Sequence, residues 1–478
     1  MEHNKLFRRE HPYGILRRLR VSVILILLSV LQQILVQPQG ILMIISSLGI
    51  SALYVIAFLF YALSLYSNFK YRIDPKMIHV RSGVFVSKNF HISFDNICTI
   101  VFYRDLFSTV FGAERISVDT PSGSRKKFDV SAYSSLTKAK EIRLAGESAA
   151  LPTKICRPKT MSILLMSAFW SNPVTGIIFI VPIIQNLGKI VGNEVANAVV
   201  RGSIDSQWHF WSKFISPVAA TLITIILLSW TISMLLCFMR YVRFKSYRLG
   251  EYIVIYRGFP GRSITYTKIS ELASVNIEQS LLMKLLRLKS CTLSVIGSGK
   301  LKGDRGMIIS ASKSDYVYRK MYELTGISAA EKQTLHAAPH SVFSYIYLPL
   351  LALLIPFGFS QLHHLLPRLT ETCRFLAYIS LFVVIWWLIF RIFSYRNAHI
   401  GLNQDHLIVC GFRRLTLRKH YIKPDKIQRV EISQSIFQKR SGKCNVRIYV
   451  YFDKKKICVV KQLPKDKAEE MLKKFELF

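Results

Sequence analysis

Acidic side chains are scarce. The chain has 28 Asp and Glu against 65 Lys and Arg in 478 residues, a formal net charge of +37. Charged residues reach only 19%, where an average soluble domain carries about 25%. Eight cysteines are present, yet no two are spaced C-x-x-C, which leaves no ground for a zinc site or a disulfide framework. Cys98, Cys156, Cys237, Cys291, Cys373, Cys410, Cys444 and Cys458 read as buried reduced thiols. Also missing are the H-E-x-x-H, G-x-S-x-G and D-F-G signatures, so no catalytic, cofactor-binding or metal site is expected. Gly297-Ser298-Gly299-Lys300 lacks phosphate-loop spacing and reads as a hairpin turn.

What the chain has in abundance is apolar sequence, 51% of it, gathered into six runs with no ionisable residue at their centres. These are Val21 to Val36, Ile41 to Tyr66, Met161 to Leu187, Ile215 to Met239, Ser341 to Leu365 and Phe375 to Phe393. A bilayer core of about 30 Å needs about 20 apolar residues in a helix. The runs therefore predict six transmembrane helices in three hairpins. The N-terminal arginines Arg8, Arg9, Arg17, Arg18 and Arg20 precede the first run as in a signal peptide, but a second run follows at once, so a retained hairpin is expected. Pro349 and Pro356 interrupt the fifth run and Asn172-Pro173 the third. The lack of mid-membrane Asp, Glu, Lys and Arg argues against an ion-coupled carrier or pump. Gln32 and Gln33 fit helix–helix hydrogen bonds, and His363-His364 fit a headgroup boundary.

Charge sets the orientation. The N-terminal tail and the three long polar segments carry 35 of the 37 excess positive charges. The positive-inside rule places all four, with both termini, in the cytoplasm of a multi-pass cell-membrane protein. Membrane topology thus accounts for the basic balance, and no nucleic-acid partner is expected. The predicted order is a tail and hairpin over 1–66, a cytoplasmic domain over 67–160, a hairpin over 161–239, a domain over 240–340, a hairpin over 341–393 and a domain over 394–478. The outer connection Gly188 to Phe214 reads as an amphipathic segment at the outer interface, with Trp208 and Trp211 as anchors.

The three cytoplasmic segments repeat one another. Each opens with short β-branched runs that reach a glycine, Gly83, Gly258 or Gly411. A pair of isoleucines five apart follows: Ile92 and Ile97, Ile264 and Ile269, Ile422 and Ile427. Alternation resumes at Ile100 and Phe102, Val275 and Ile277, Val430 and Ile432, the period of half-buried strands. A polar-then-apolar step comes next, at Asp105-Leu106-Phe107, Ser280-Leu281-Leu282 and Ser435-Ile436-Phe437, with three extra residues before it in the second copy. Gly112 and Gly442 correspond, with Arg287-Leu288 near that place in the second copy. Further strands contain Ile116-Ser117-Val118, Leu293-Ser294-Val295 and Ile448-Tyr449-Val450. Closing helices are expected over Ala132 to Ala145, Ser314 to Leu324 and Lys465 to Phe475.

On these turns, strand starts and final helices, the chain resembles bacterial pleckstrin-homology-like domain membrane proteins, the YdbS/YdbT-like family. The resemblance implies three cytoplasmic PH-like β-barrel or sandwich domains, each with a C-terminal helix, and brings no agreed catalytic site. It implies a non-enzymatic membrane scaffold, a possible second, shorter membrane protein of the same family as partner, and a role in envelope stress or resistance to membrane-active antimicrobial compounds. Three basic runs are candidate contacts for anionic lipids of the inner leaflet: Arg125, Lys126 and Lys127; Arg413, Arg414, Arg418 and Lys419; Lys454, Lys455 and Lys456. The same runs also serve as topology signals and solvated faces. Two rival readings stay open, a transporter or exporter component for a neutral or amphipathic solute and a membrane-embedded enzyme.

Overall fold

The computed structural model describes residues 7–19, 56–74, 76–121, 128–135, 152, 155–171, 217–295, 306–365, 370–403, 405–413, 416–450 and 456–474. The chain forms two compact units, Met1–Lys268 and Ile269–Phe478.

Unit 1 holds two antiparallel sheets. The first runs β1 (Arg8–Arg9), β2 (Lys70–Ile73), β3 (Met77–Ser82), β4 (Lys88–Ser93) in that order. Its inner face carries Tyr71, Ile78, Val80 and Ile92, which pack with Ile97, Val118 and Val130. The second sheet has the order β7-β6-β5-β10-β9-β8. It joins β5 (Thr99–Arg104), β6 (Ala113–Asp119) and β7 (Val130–Ser135), from the first repeat, to β8 (Lys245–Leu249), β9 (Tyr252–Arg257) and β10 (Arg262–Lys268), from the second. The seam is β5 against β10, with Phe102 opposite Ile264 and Ile100 opposite Tyr266. Phe102, Ile264, Tyr266, Val254 and Leu249 share one buried cluster across it.

Unit 2 repeats the arrangement. One seven-stranded sheet has the order β13-β12-β11-β17-β16-β15-β14. It joins β11 (Leu272–Ser280), β12 (Leu288–Val295) and β13 (Met307–Lys313) to β14 (Gln333–His336), β15 (His399–Leu402), β16 (Leu407–Arg413) and β17 (Thr416–Ile422). The seam is β11 against β17. A three-stranded sheet follows, β18 (Ile427–Ser433), β19 (Lys443–Val450) and β20 (Lys456–Pro464). The third core combines Leu407, Val409 and Ile422 with Val446, Ile448, Leu463 and Leu472. Within each unit, then, a sheet is shared between one repeat's last strands and the next repeat's first.

Backbone pairing also brackets the apolar runs. β1 pairs with β2, a bridge joins Cys156 to Ser246, and β14 pairs with β15. In each case the backbone ahead of a pair of apolar runs pairs with the backbone that follows it.

The helices are α1 (Ile56–Asn68), α2 (Leu106–Val110), α3 (Thr160–Trp170), α4 (Pro217–Tyr241), α5 (Leu281–Leu285), α6 (Ser314–Thr325), α7 (Val342–Ala352), α8 (Leu354–Leu365), α9 (Thr370–Arg396), α10 (Ile436–Arg440) and α11 (Lys465–Lys473). Among the described residues two helical spans are long and apolar enough to cross a membrane, Pro339–Leu362 and Cys373–Arg396, with mean hydropathies of 2.0 and 2.2. Shorter apolar helical stretches are Ile56–Asn68, Thr160–Trp170 and Ile225–Tyr241. The expected run Val21 to Val36 lies outside the described residues, as do parts of the second, third and fourth runs. Leu354, Ile355, Phe357, Tyr378, Phe382 and Val383 are exposed on the two spans. Large apolar residues laid out along a helix in this way call for lipid or a partner rather than water. The fifth run breaks at Leu353 because Pro356 has no N–H to give to the Ala352 carbonyl four residues back.

Three sequence expectations need correction. Ala132 to Ser135 lies in strand β7 rather than opening a helix, and 136–151 lies outside the described residues. The helices expected at Ser314 and Lys465 are present as α6 and α11. Secondly, the three 3-10 turns that end β4, β10 and β17 align Ile92 and Ile97 with Thr267 and Leu272, not with Ile264 and Ile269. From Ile97, Leu272 and Ile427 it is then eight residues to Asp105, Ser280 and Ser435, so the second copy has no three-residue insertion there. Threonine at the marker position had hidden the register.

Thirdly, Gly411 is not the third copy's turn. Ile78, Ile253 and Leu407 hold equivalent ladder positions, which makes Phe412 the counterpart of Gly83 and Gly258. Gly83 and Gly258 have φ of +120° and +105°, and a Cβ there would meet a backbone oxygen at 1.9 and 2.4 Å. Gly411 lies inside β16, where a Cβ would have its nearest neighbour at 3.9 Å. Alanine at 83 or 258 is therefore expected to destabilise by about 1–3 kcal/mol. Alanine at 411 should stay within about 0.5 kcal/mol of the parent, and thermal unfolding of the three variants in detergent compares them.

Candidate membrane-interface site

Three short helices, α2, α5 and α10, occupy the same place in the three repeats. Each is started by a side-chain cap. Asp105 Oδ1 accepts from Ser108 N at 2.6 Å, Ser280 Oγ from Met283 N at 3.2 Å and Ser435 Oγ from Gln438 N at 3.3 Å. Seven residues past each cap, Gly112, Arg287 and Gly442 share a left-handed φ of 62°, 55° and 63°, so Arg287 stands where the other copies have glycine. The side chain three residues after the cap turns inward: Ser108, Met283 and Gln438 are buried. Most of the apolar residues of each turn face outward. Leu106, Phe107 and Val110, then Leu282 and Leu285, then Ile436 and Phe437 are all exposed, with Val110, Leu285 and Phe437 at 83%, 79% and 80%. Phe85 and Val86, in the β3–β4 turn, are exposed as well.

Two of these helices lie near the C-terminal ends of apolar helices. Lys284 of α5 holds its ammonium 4.9 Å from the centre of the Phe393 ring in the last turns of α9. Phe412 stacks on Phe390 and Phe393 of the same helix, at 5.6 and 6.3 Å. In unit 1, Phe259 N donates to the Met239 carbonyl near the end of α4 at 3.1 Å. Two residues on, the Gly261 backbone abuts Arg104 and Asp105, the start of α2.

Buried polar groups hold the chain where it flanks the apolar runs. In unit 1, Glu10 is buried, pairs with Arg18 at 2.6 Å and accepts from Tyr133 N at 3.0 Å. Burial pushes its carboxyl up, against the pull of Arg18. Arg17 donates to the Tyr133 hydroxyl, and the Tyr13 hydroxyl donates to Asp105 Oδ1 at 3.1 Å. Burial, with the Asp105 charge, pushes that phenol up to about 12. Arg17 and Arg18, read in the sequence as topology signals, thus latch the N-terminal segment onto the first repeat.

In unit 2, Glu331, just ahead of β14, bridges Lys419 Nζ at 2.7 Å and His399 Nε2 at 3.4 Å. His336 lies against His399, ring centroids 5.0 Å apart, and Cys410 is opposite His399 in the ladder. The nearby His399 imidazole, helped by Lys419 and opposed by burial, holds the Glu331 carboxyl down at about 2. Burial opposes charge on His399, but Cys410 and Glu331 outweigh it and raise the imidazole to about 9. Burial and the His399 charge push His336 down. A carboxylate, an imidazole and a thiol meet here, yet Cys410 is 1% exposed and sealed under the sheet. This geometry ties the strand before the hairpin to the strand after it.

Of the basic candidates, Arg418 and Lys419 face acidic groups of unit 2: Arg418 Nε lies 3.4 Å from Glu278 Oε1, and Lys419 pairs with Glu331. Arg413 and Lys456 belong to β16 and β20. Arg125, Lys126, Lys127, Arg414, Lys454, Lys455, Trp208 and Trp211 lie outside the described residues, with Gln32, Gln33, Asn172-Pro173, the connection 188–214 and Gly297 to Lys300. His363 and His364 fall in α8, their side chains outside the description. Seven of the eight cysteines are buried and Cys237 is half-buried, and among the described residues no group of three His, Cys, Asp or Glu could hold a metal. The exposed apolar turns were visible in the sequence as the polar-then-apolar step, whose recurrence alone did not show which side faced out.

A family model for the bacterial PH domain matches the chain three times, over residues 22–148, 198–325 and 349–475. The chain belongs to the bacterial PH domain family. No curated protein and no solved structure matches it. Each match takes in apolar sequence ahead of the strands and starts after β1 and β14, which lie outside the matched residues.

Proposed function

We propose that this PH-domain protein is a non-enzymatic scaffold of a bacterial cell membrane. Three hairpins anchor it, both termini and all three PH-like repeats lie in the cytoplasm, and α2, α5 and α10 rest in the inner leaflet. The observation that carries this reading is the threefold recurrence of a capped helical turn with exposed Leu, Phe, Ile or Val. Such residues gain free energy on leaving water, and Lys284, Lys439 and Arg440 stand beside them to meet anionic headgroups. The scaffold would serve the envelope under membrane stress, as the family resemblance implies.

The test replaces Phe107, Leu285 and Phe437 singly by cysteine, each labelled with an environment-sensitive dye in nanodiscs containing anionic lipid. Blue-shifted emission, shielded from an aqueous quencher at all three positions, is the expected result. Water-like spectra at all three would sink the reading.

A further inference from the structure

Two equivalent joints link successive repeats, and among the described residues each joint has one half left over. β5 pairs with β10, and β11 pairs with β17. The third-repeat counterpart of β5 and β11 is β18, and the first-repeat counterpart of β10 and β17 is β4. Both are edges: β18 closes the last sheet of unit 2 and β4 closes the first sheet of unit 1.

We propose that β18 of one molecule pairs antiparallel with β4 of a second copy, so that copies join head to tail through the joint already used twice within the chain. The register follows from either internal example. Carrying over Thr99 opposite Thr267, or Ser274 opposite Ile422, sets Arg429 opposite Ile92 in both cases. Val430 then faces His91, Glu431 faces Phe90, Ile432 faces Asn89 and Ser433 faces Lys88.

The edges are shaped for this. β11 has a register shift against β12 between Leu272 and Ser274, and β18 has the same shift against β19 between Ile427 and Arg429. Neither edge carries a proline, and Lys88, which shares the inner face of β4 with Phe90 and Ile92, sits exposed at the strand's end. Burial records the missing strand. β11 is buried along most of its length and β10 through its middle, whereas Gln428 and Arg429 of β18, and Lys88, Asn89 and His91 of β4, are exposed. An added strand supplies the main-chain hydrogen bonds both edges lack. The new pairs Val430–His91 and Ile432–Asn89 are more polar than Ile100–Tyr266 and Phe102–Ile264, which makes this the weakest of the three joints and a reversible one.

The experiment co-expresses two differently tagged full-length chains, one Ser433→Cys and one Lys88→Cys, and oxidises native membranes. Directly opposed residues in such a ladder have Cβ atoms about 4.5–5.5 Å apart, close enough for a disulfide after slight adjustment. A mixed dimer with the 433–88 disulfide mapped by mass spectrometry is expected. Pairing Ser433→Cys with Asn89→Cys, on the opposite face, should give at least tenfold less. A chain carrying both substitutions should form a ladder of dimers and higher species. The proposal is overturned by a cross-linked monomer, by a disulfide to a different protein, a shorter relative included, or by no cross-link while maleimide labels both cysteines.

Discussion

The variant Phe107→Asp/Leu285→Asp/Phe437→Asp is expected to lift all three short helices out of the bilayer interface while leaving the fold intact. Each lost apolar contact removes about 1–2 kcal/mol of interfacial burial, below the 1.5–3 kcal/mol of complete side-chain burial. Together the three amount to about 3–6 kcal/mol, or roughly a 10²- to 10⁴-fold fall in the inserted population. Dyes at Val110, Leu282 and Ile436 in this background should emit as in water. The unfolding midpoint should barely move, because the replaced side chains already face outward. If the dyes stay shielded, the apolar turns contact something other than the headgroup region. If the midpoint falls by more than a few degrees, the turns belong to the core.

The second large effect concerns the base of the third hairpin. Glu331→Ala should cost unit 2 about 2–3 kcal/mol, because it leaves Lys419 and His399 without their counter-charge in a half-buried site. The clamp also predicts a pH dependence of known sign. Glu331 titrates near 2 in the fold, below its ordinary 4.5, so its contribution is complete above 4.5 and disappears as pH falls toward 2. His399 is raised from 6.5 to about 9, so its contribution is complete below 6.5 and is lost as pH rises through 9. The clamp is therefore tightest between about pH 4.5 and 6.5. Alkylation of Cys410, followed on its own peptide by mass spectrometry, reports the opening. It should accelerate from pH 6.5 to 9 more steeply than alkylation of the same thiol in the unfolded chain, and His399→Gln should remove that excess. An unchanged rate in Glu331→Ala would contradict the clamp.

The PH-like repeat was legible because its signals are local. Alternation at Ile100 and Phe102 or Val430 and Ile432, the caps Asp105, Ser280 and Ser435, and the amphipathic helices at Ser314 and Lys465 are each written within about ten residues. The sharing of sheets was not legible, because nothing in β5 alone tells whether its free edge meets its own repeat or the next. The glycine markers misled for the same reason. Gly83 and Gly258 are fixed by left-handed backbone that only their turn requires, and Gly411, one residue away from alignment, sits in a strand lengthened through Phe412. The exposed apolar turns and the clamp depend on exposure and on long-range pairs such as Glu331 with Lys419, which no short window contains.

The most direct test is the sidedness of the repeats in intact cells. Single reporter cysteines at Lys88, Lys313 and Lys467, one on each PH-like repeat, are challenged with a membrane-impermeant maleimide before and after permeabilisation. The account predicts no labelling of any reporter from outside and labelling of all three once the membrane is opened. A reporter that reacts in sealed cells contradicts it.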